Sequence, residues 1–245
     1  MPVAMRVLVD LGNARLKWAR LEGETLHPGA PVHLVRGWEK KLAPAWAGLP
    51  PPEAVVASNV AGEDNAWILG RLCARLWHLE PEFVRVQTPF QGLETAYRHP
   101  QRLGSDRWLA LLAAWRLGLA PCLVVDAGSA LTLDLLEAGG HHPGGLILPG
   151  PRRMRTCLLE GTHIPDPGPG SAAEFVARDT AGGIRNGIQA AVLGAIDRAR
   201  RHLPGEARLV LTGGDAGDLI RGLGPAEVRP YLVLEGLAAF SGRNL

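Results

Sequence analysis

VLVDLGNARLKW, residues 7–18, decides the fold. An apolar run, Val7-Leu8-Val9, enters an aspartate, a glycine and an asparagine. The chain then resumes with alternating character as Arg15-Leu16-Lys17-Trp18-Ala19-Arg20-Leu21. Apolar run, glycine turn and alternating run together predict a β-hairpin. The pattern returns half a chain later. VDAGSA at 125–130 repeats VDLGNA at 9–14, with Leu123-Val124-Val125 leading in and Leu131-Thr132-Leu133-Asp134-Leu135 leading out. The matched context on both sides points to an internal duplication. The expectation is two lobes, residues 1–118 and 119–245, each opening with a hairpin.

The intervening sequence alternates strands with helices, which makes the class α/β. Residues 53–60 and 82–86 read as strands. Residues 64–79 read as an amphipathic helix with Trp67, Leu69, Leu72, Leu76 and Leu79 at helical spacing. GSDRWLALLAAWRLG at 104–118 reads as a helix with Ser105 as N-cap and Gly118 as stop. In the second half, 172–202 is largely helical, 207–212 is a strand running into Gly213-Gly214-Asp215, and 214–221 starts another helix. GGLILPG at 144–150 reads as a buried strand or a close-packed turn. The Pro-rich stretches 49–52 and 165–170 are loops.

Composition narrows the function classes. The chain is 47% apolar and 20% charged with a net charge of +2, and it has no basic block, so nucleic acid is not the expected partner. Three cysteines without CxxC spacing fit a reducing compartment better than a disulfide framework or a zinc site. No apolar run approaches the length of a membrane span, and the N-terminus carries a strand in place of a signal segment. The expectation is a soluble, cytoplasmic protein.

An aspartate at a strand end, followed by glycine and a small polar residue, suits a phosphate–metal site. The glycine lets backbone N–H groups approach an anion, and the carboxylate holds a hard cation. Lys17 is one of only three lysines in the chain, against twenty-three arginines. The other two, Lys40 and Lys41, form an adjacent surface pair. Lys17 adds a compact charge for the same phosphates. The plainer reading of Asp10 and Asp126 is turn chemistry alone, but two matched hairpins and a lone lysine favour the site. No GxxxxGK[ST] is present, so this is not a P-loop protein. LTGGD at 211–215 offers a third close approach to the backbone, for a ring or a phosphate. Asp106, in the first turn of an apolar helix, sits where the helix dipole favours its charge. It is either a general base beside a bound hydroxyl or a helix cap. Arg107 beside it either grips a carboxylate by two prongs or lies at the surface.

DLGNARLK, GSDR, DAGSALTLD, GGLILPG, DT at 179–180 and TGGD occur in the order and approximate spacing of the type III pantothenate kinases. The sequence resembles that family over nearly its whole length. The family also includes the Bvg accessory factor, once regarded as a transcriptional regulator.

The resemblance implies an actin-like (ribonuclease H-like) duplicated fold of the acetate and sugar kinase/Hsp70/actin superfamily. It also implies ATP-dependent phosphorylation of pantothenate in coenzyme A synthesis. On this resemblance Asp10, Leu11, Gly12, Asn13, Ala14, Arg15, Leu16 and Lys17 form the first phosphate motif, with Asp10 near Mg²⁺ and Lys17 near phosphate. Gly104, Ser105, Asp106 and Arg107 form the pantothenate motif, with Asp106 as base, and Tyr97 borders pantothenate. Asp126 binds a monovalent cation, potassium or ammonium, and Ser129 touches ATP. Thr180 touches pantothenate in a site completed across a homodimer interface, and Thr212, Gly213 and Gly214 belong to the adenosine motif. The apolar helix beginning at Ser105 is the expected dimer face.

Two positions depart from the family pattern. Ala14 stands where Ser or Thr is usual, and Ser129 stands where Thr is usual. Ala14 removes a hydroxyl that bonds phosphate, so weak turnover is compatible with the reading. The alternatives are a nucleotide-binding regulator on the same fold and a sugar or acetate kinase. The short chain and GSDR disfavour the latter.

Overall fold

The computed structural model describes residues 5–170, 174–205, 207–219 and 222–242. In chain order its elements begin with β1 (Met5–Leu11), β2 (Arg15–Glu22), β3 (Thr25–Pro28), β4 (Val32–His33), α1 (Glu39–Ala47), β5 (Ala54–Asn59), α2 (Glu63–Trp77), β6 (Glu82–Phe83), β7 (Glu94–Thr95) and α3 (Ser105–Arg116). They continue with β8 (Cys122–Ala127), β9 (Ala130–Leu136), β10 (His141–His142), β11 (Gly144–Pro149), α4 (Pro151–Glu160), α5 (Thr180–Arg200), β12 (Arg208–Thr212), α6 (Ala216–Leu219), β13 (Glu227–Val228) and α7 (Leu232–Phe240). The chain divides into two compact units. One is Met1–Leu119 with Gly140–His142 and Tyr231–Leu245, and the other is Ala120–Gly139 with Pro143–Pro230.

The sheet of the first unit runs β3-β2-β1-β5-β6, with β4 also paired to β2. β1 lies at its centre, antiparallel to β2 and parallel to β5. A strand covered on both faces reads as an unbroken apolar run, and Val7, Leu8, Val9 and Leu11 are all at 0% exposure. Met5, Val7, Val9 and Leu11 pack with Leu42 and Trp46 of α1 and Leu69, Leu72 and Trp77 of α2. Side chains alternate along a strand, so Leu8 and Asp10 share the opposite face. Trp46 stacks on Trp77 (centroids 5.0 Å) and meets Trp18 edge-on at 5.9 Å.

Two helices correct the sequence reading. Trp67, expected on the buried stripe of α2, is 64% exposed, with the Arg71 guanidinium 5.1 Å from its ring. At 100° per residue Trp67 stands on the far side of the helix from Leu69, and Leu69, Leu72, Cys73 and Trp77 make the stripe. The second correction concerns α3. Trp108, Leu109, Leu111 and Leu112 are all buried within the unit. α7 covers them, at a crossing so close that a Cβ on Gly236 would overlap the backbone of Leu109. Trp108 meets Phe90 at 5.4 Å and Phe240 at 6.0 Å. The Trp115 indole donates to Gln91 O at 3.0 Å. The apolar surplus of α3 is therefore spent on the chain's own last helix, and it no longer argues that α3 is a subunit face. The N-cap is Gly104, with Ser105 the first helical residue, because the Ser105 hydroxyl is engaged elsewhere.

The sheet of the second unit runs β11-β9-β8-β12-β13, which repeats the first position by position. A central strand is flanked by an antiparallel hairpin partner on one side and by two parallel strands on the other. Leu123, Val125, Leu131 and Leu133 of its hairpin pack with Val192, Ile196 and Ala199 of α5 and with Leu209 and Leu211 of β12. The strand within GGLILPG is not buried. It forms β11 at the end of the sheet, with Leu146 46% and Ile147 64% exposed. The helix expected over 172–202 starts at Thr180, where Asp179 caps it by accepting the N–H of Gly182 at 2.8 Å. The strand expected to Val86 ends at Phe83. α6 covers Ala216–Leu219, and residues 220 and 221 of the expected helix lie outside the described residues.

Cys73 and Cys122 are buried, and desolvation pushes both thiols up to about 12. They pack as small apolar groups. Among the described residues no helix is long and apolar enough to cross a membrane.

Candidate active site

In the first unit the turn of the hairpin is closed by the Gly12 N–H, which donates to Arg15 O at 3.1 Å. Asn13 and Ala14 are exposed at its tip. Leu11 and Leu16 face each other with buried side chains, so only their backbone is available to a ligand. One step below the turn, Asp10 faces Lys17 across the antiparallel pair and Ser58 across the parallel one. Residues directly opposite in a sheet project from the same face, so carboxylate, ammonium and hydroxyl share one side. Asp10 is 7% exposed and Ser58 is fully buried. The Ser58 hydroxyl lies 2.9 Å from that of Ser105, the residue before Asp106. Two motifs almost a hundred residues apart in sequence are thus joined through Ser58.

Asp106 occupies the first turn of α3, and its Oδ1 accepts the N–H of Arg107 at 2.8 Å. A Cβ on Gly104 would stand 2.5 Å from that same oxygen, so a larger residue there would displace the Asp106 carboxylate. Arg107 is 8% exposed, and its Nη1 donates to the Tyr97 hydroxyl at 2.8 Å. Arg107 is accordingly buried with one prong held on the Tyr97 hydroxyl, and the surface alternative falls away.

In the second unit Asp126 faces Thr132 across the hairpin and Thr212 across the parallel pair. The Gly128 N–H donates to Ala130 O at 3.0 Å, the counterpart of the Gly12 bond. Two distant glycines press on this turn. Gly150 donates to Ser129 O at 3.0 Å, and a Cβ on it would overlap Gly128 O. Gly213, at φ +92°, lies so close to Asp126 Oδ1 and Ala127 O that a Cβ would overlap both. Asp215 donates its N–H to Ala127 O at 2.9 Å and accepts Arg152 Nη2 at 2.7 Å. Asp126, Ser129, Thr212, Gly213 and Gly214 therefore gather around one turn, joined by Gly150 of GGLILPG and, through Asp215, by the exposed Arg152. Thr180 is exposed at the start of α5.

A family profile described as Type III pantothenate kinase matches residues 6–202. The chain belongs to the type III pantothenate kinase family. It is 39% identical to a type III pantothenate kinase of Aromatoleum aromaticum, over 96% of both chains. It is 37% identical to one of Nitrosococcus oceani, over 96% of this chain and 92% of the other. Among solved structures, a conserved Baf family protein of Campylobacter jejuni superposes with a TM-score of 0.63 at 19% identity, over 96% of this chain and 98% of the other. That likeness supports the fold, a duplicated actin-like α/β fold with each unit opening on a hairpin.

Within this type III pantothenate kinase framework, the sequence reading missed Ser58 and His142. Ser58 sits inside EAVVASNV, an apolar run where one serine carries no spacing signal. A serine directly after the apolar run Ala54–Ala57 was the available hint. His142, flanked by Gly139-Gly140 and Gly144-Gly145, lies in β10, paired with β7 through His142 and Thr95.

Proposed function

We propose that the protein transfers the γ-phosphoryl group of ATP to the primary hydroxyl of pantothenate, giving 4′-phosphopantothenate for coenzyme A synthesis. The observation that carries the reading is the line Lys17, Asp10, Ser58, Ser105, Asp106 in the first unit. It aligns a phosphate-type turn with a carboxylate at a helix N-terminus. Phosphoryl transfer asks a protein mainly for positioning and charge neutralisation. Lys17 and the N–H groups of residues 13 and 14 are assigned to the phosphates. Asp106 takes the proton of the attacking hydroxyl, and the helix dipole favours its ionised form. Arg107 and Tyr97 are assigned to the carboxylate end of pantothenate. Ser129 and Thr212-Gly213-Gly214 are assigned to ATP.

The donors around both aspartates are hard oxygens, the chemistry that Mg²⁺ and alkali cations take. Asp10 would hold Mg²⁺ arriving with ATP, which supplies charge neutralisation on the polyphosphate. Asp126 Oδ1 and Ala127 O, crowded against Gly213 where only a glycine fits, form an oxygen cradle suited to potassium or ammonium. Free nucleotide, pantothenate and protonated buried thiols all fit a cytoplasmic setting.

The homodimer reading keeps its support but on a different surface. α4 buries none of its residues, Leu158 is 38% exposed, and β11 leaves Leu146 and Ile147 exposed at the sheet's end. Along α5 the exposed Gly183, Gly187 and Gly194 have nothing within 4 Å of a would-be Cβ. An exposed apolar strand edge and a helix stripe of small residues suit a self-complementary contact with a second copy. Thr180, at the start of α5, would then serve the partner's pantothenate. Light scattering on Ile147→Asp should show the monomer with turnover lowered. A dimer of unchanged affinity would remove this face.

The deciding experiment is pantothenate-dependent ADP release with Mg-ATP. The wild type should show it, and Asp106→Asn, which keeps the shape but cannot take the proton, should lose about 10²–10⁴-fold. No release with any nucleotide or monovalent cation would transfer the case to the nucleotide-binding regulator. Near-normal turnover in the variant would reduce Asp106 to a cap.

A further inference from the structure

His142 is fully buried, and the phosphoryl-transfer reading gives it no task. Its strand is held in place on both sides of the ring. Gly140 turns the chain at φ +80°, where a Cβ would overlap Gly92 O, so β10 reaches β7 only because a glycine stands there. Glu94 then donates to Gly140 O at 3.0 Å and Ala96 to His142 O at 2.9 Å. The ring Nδ1 lies 2.9 Å from Thr95 Oγ1, and that hydroxyl oxygen accepts the N–H of Tyr97 at 3.2 Å. A hydroxyl has one proton and two lone pairs, so Thr95 serves both bonds at once, accepting the Tyr97 N–H while bonded to the ring Nδ1. The imidazole stacks on the Tyr97 ring, with centroids 5.7 Å apart and planes 20° from parallel. The Tyr97 hydroxyl in turn accepts Arg107 Nη1 at 2.8 Å, and the guanidinium carbon is 5.7 Å from the same ring.

We propose that His142 is a positioning residue for the acidic end of the substrate. It fixes the Tyr97 ring from one side through stacking and through Thr95. By way of the Tyr97 hydroxyl it thereby orders the Arg107 guanidinium before the carboxylate arrives. A long cation held in advance loses less freedom on binding, so the contribution falls on substrate affinity and leaves the chemical step alone. The inference rests on the assignment of Tyr97 and Arg107 to pantothenate.

His142→Phe keeps the stacked ring and removes the bond to Thr95. Thr95→Val removes the same bond at a half-buried position. Each should raise KM for pantothenate about three- to tenfold, with kcat and KM for ATP within about twofold of wild type. The amide of pantothenate, which lacks the carboxylate, should show no such rise, a distinction that general loosening of the fold would not make. In a Tyr97→Phe background, which cuts the link to Arg107, His142→Phe should add little, because the two act in series. An unchanged KM for pantothenate in both single variants overturns the proposal. So does an equal rise for acid and amide, or full additivity with Tyr97→Phe. Arg107→Lys separates the two levels of the argument. If it raises KM for the acid while the His142 and Thr95 variants do not, only the positioning role fails. If it leaves that KM alone, the assignment of Arg107 fails and the proposal with it.

Discussion

The two hairpins share a frame and differ in what stands opposite the aspartate. In the first, Asp10 lies between Lys17 and Ser58; in the second, Asp126 lies between Thr132 and Thr212. The first turn is also one residue longer, with residues 12–15 between the paired Leu11 and Leu16 against 128–130 between Ala127 and Leu131. A duplicated strand–turn–strand thus carries a carboxylate beside an ammonium in one copy and a carboxylate beside hydroxyls in the other. The first combination fits a polyphosphate with its divalent metal, since the cation on β2 balances phosphate charge. The second fits a single alkali cation held by oxygens. Duplication supplied the geometry, and one position on the second arm gave each copy its charge.

The sharpest way to break this comparison is to give the first hairpin the residue of the second. Lys17→Thr keeps a side chain that a strand accepts and removes the ammonium. Loss of one charge-stabilising donor at a reacting phosphate typically costs about 10²-fold. kcat/KM for ATP should fall by about that factor, with the melting temperature little changed. A variant with near-normal ATP kinetics would make Lys17 an ordinary half-buried surface charge and the two hairpins functionally alike.

The second copy offers the next largest effect. Activity should rise when sodium is replaced by potassium or ammonium, and Asp126→Ala should abolish that response, an effect of about tenfold, or about 1.4 kcal/mol. Titrating the cation against initial rate at saturating ATP reads it directly. Equal rates in all three salts for the wild type would dissolve the cation role while leaving the Lys17 comparison intact.

Much of this contrast was legible in the sequence, for a physical reason. Each hairpin is local: the apolar run, the turn glycine and the alternating arm lie within about a dozen residues, so period and turn chemistry reveal them. The glycine motifs were legible as motifs but not as neighbours. Gly150 and Gly213 converge on the second turn only because β11 and β12 flank β8 and β9 in the sheet, and strand order is not written in any one segment. The same holds for Ser58, whose role depends on β5 lying parallel to β1. Amphipathic arithmetic failed for a different reason at Trp67 and α3. Trp67 precedes Leu69 by only two residues, and at 100° per residue that puts it on the opposite side of the helix. The apolar surplus of α3 suits a subunit face when read locally, but Leu232–Phe240, more than a hundred residues on, supplies the cover.

The smallest effect concerns the tip of the first turn. Ala14 is exposed there, and its carbonyl accepts the N–H of Leu34 at 2.9 Å, so the backbone is already tied down from outside the hairpin. A serine would therefore inherit a fixed position and add only a hydroxyl. Such a group pointed at a phosphate oxygen makes one further hydrogen bond, worth a net ~1 kcal/mol or about fivefold in affinity. Ala14→Ser should lower KM for ATP by about that factor and leave KM for pantothenate unchanged. The equivalent place in the second copy, Ala130, begins β9 and lends its carbonyl to the Gly128 N–H. Ala130→Ser should accordingly do nothing for ATP, because the shorter turn presents Ser129 at its tip instead. A gain in both variants, or in neither, would mean that the extra residue of the first turn does not set which hydroxyl reaches the nucleotide.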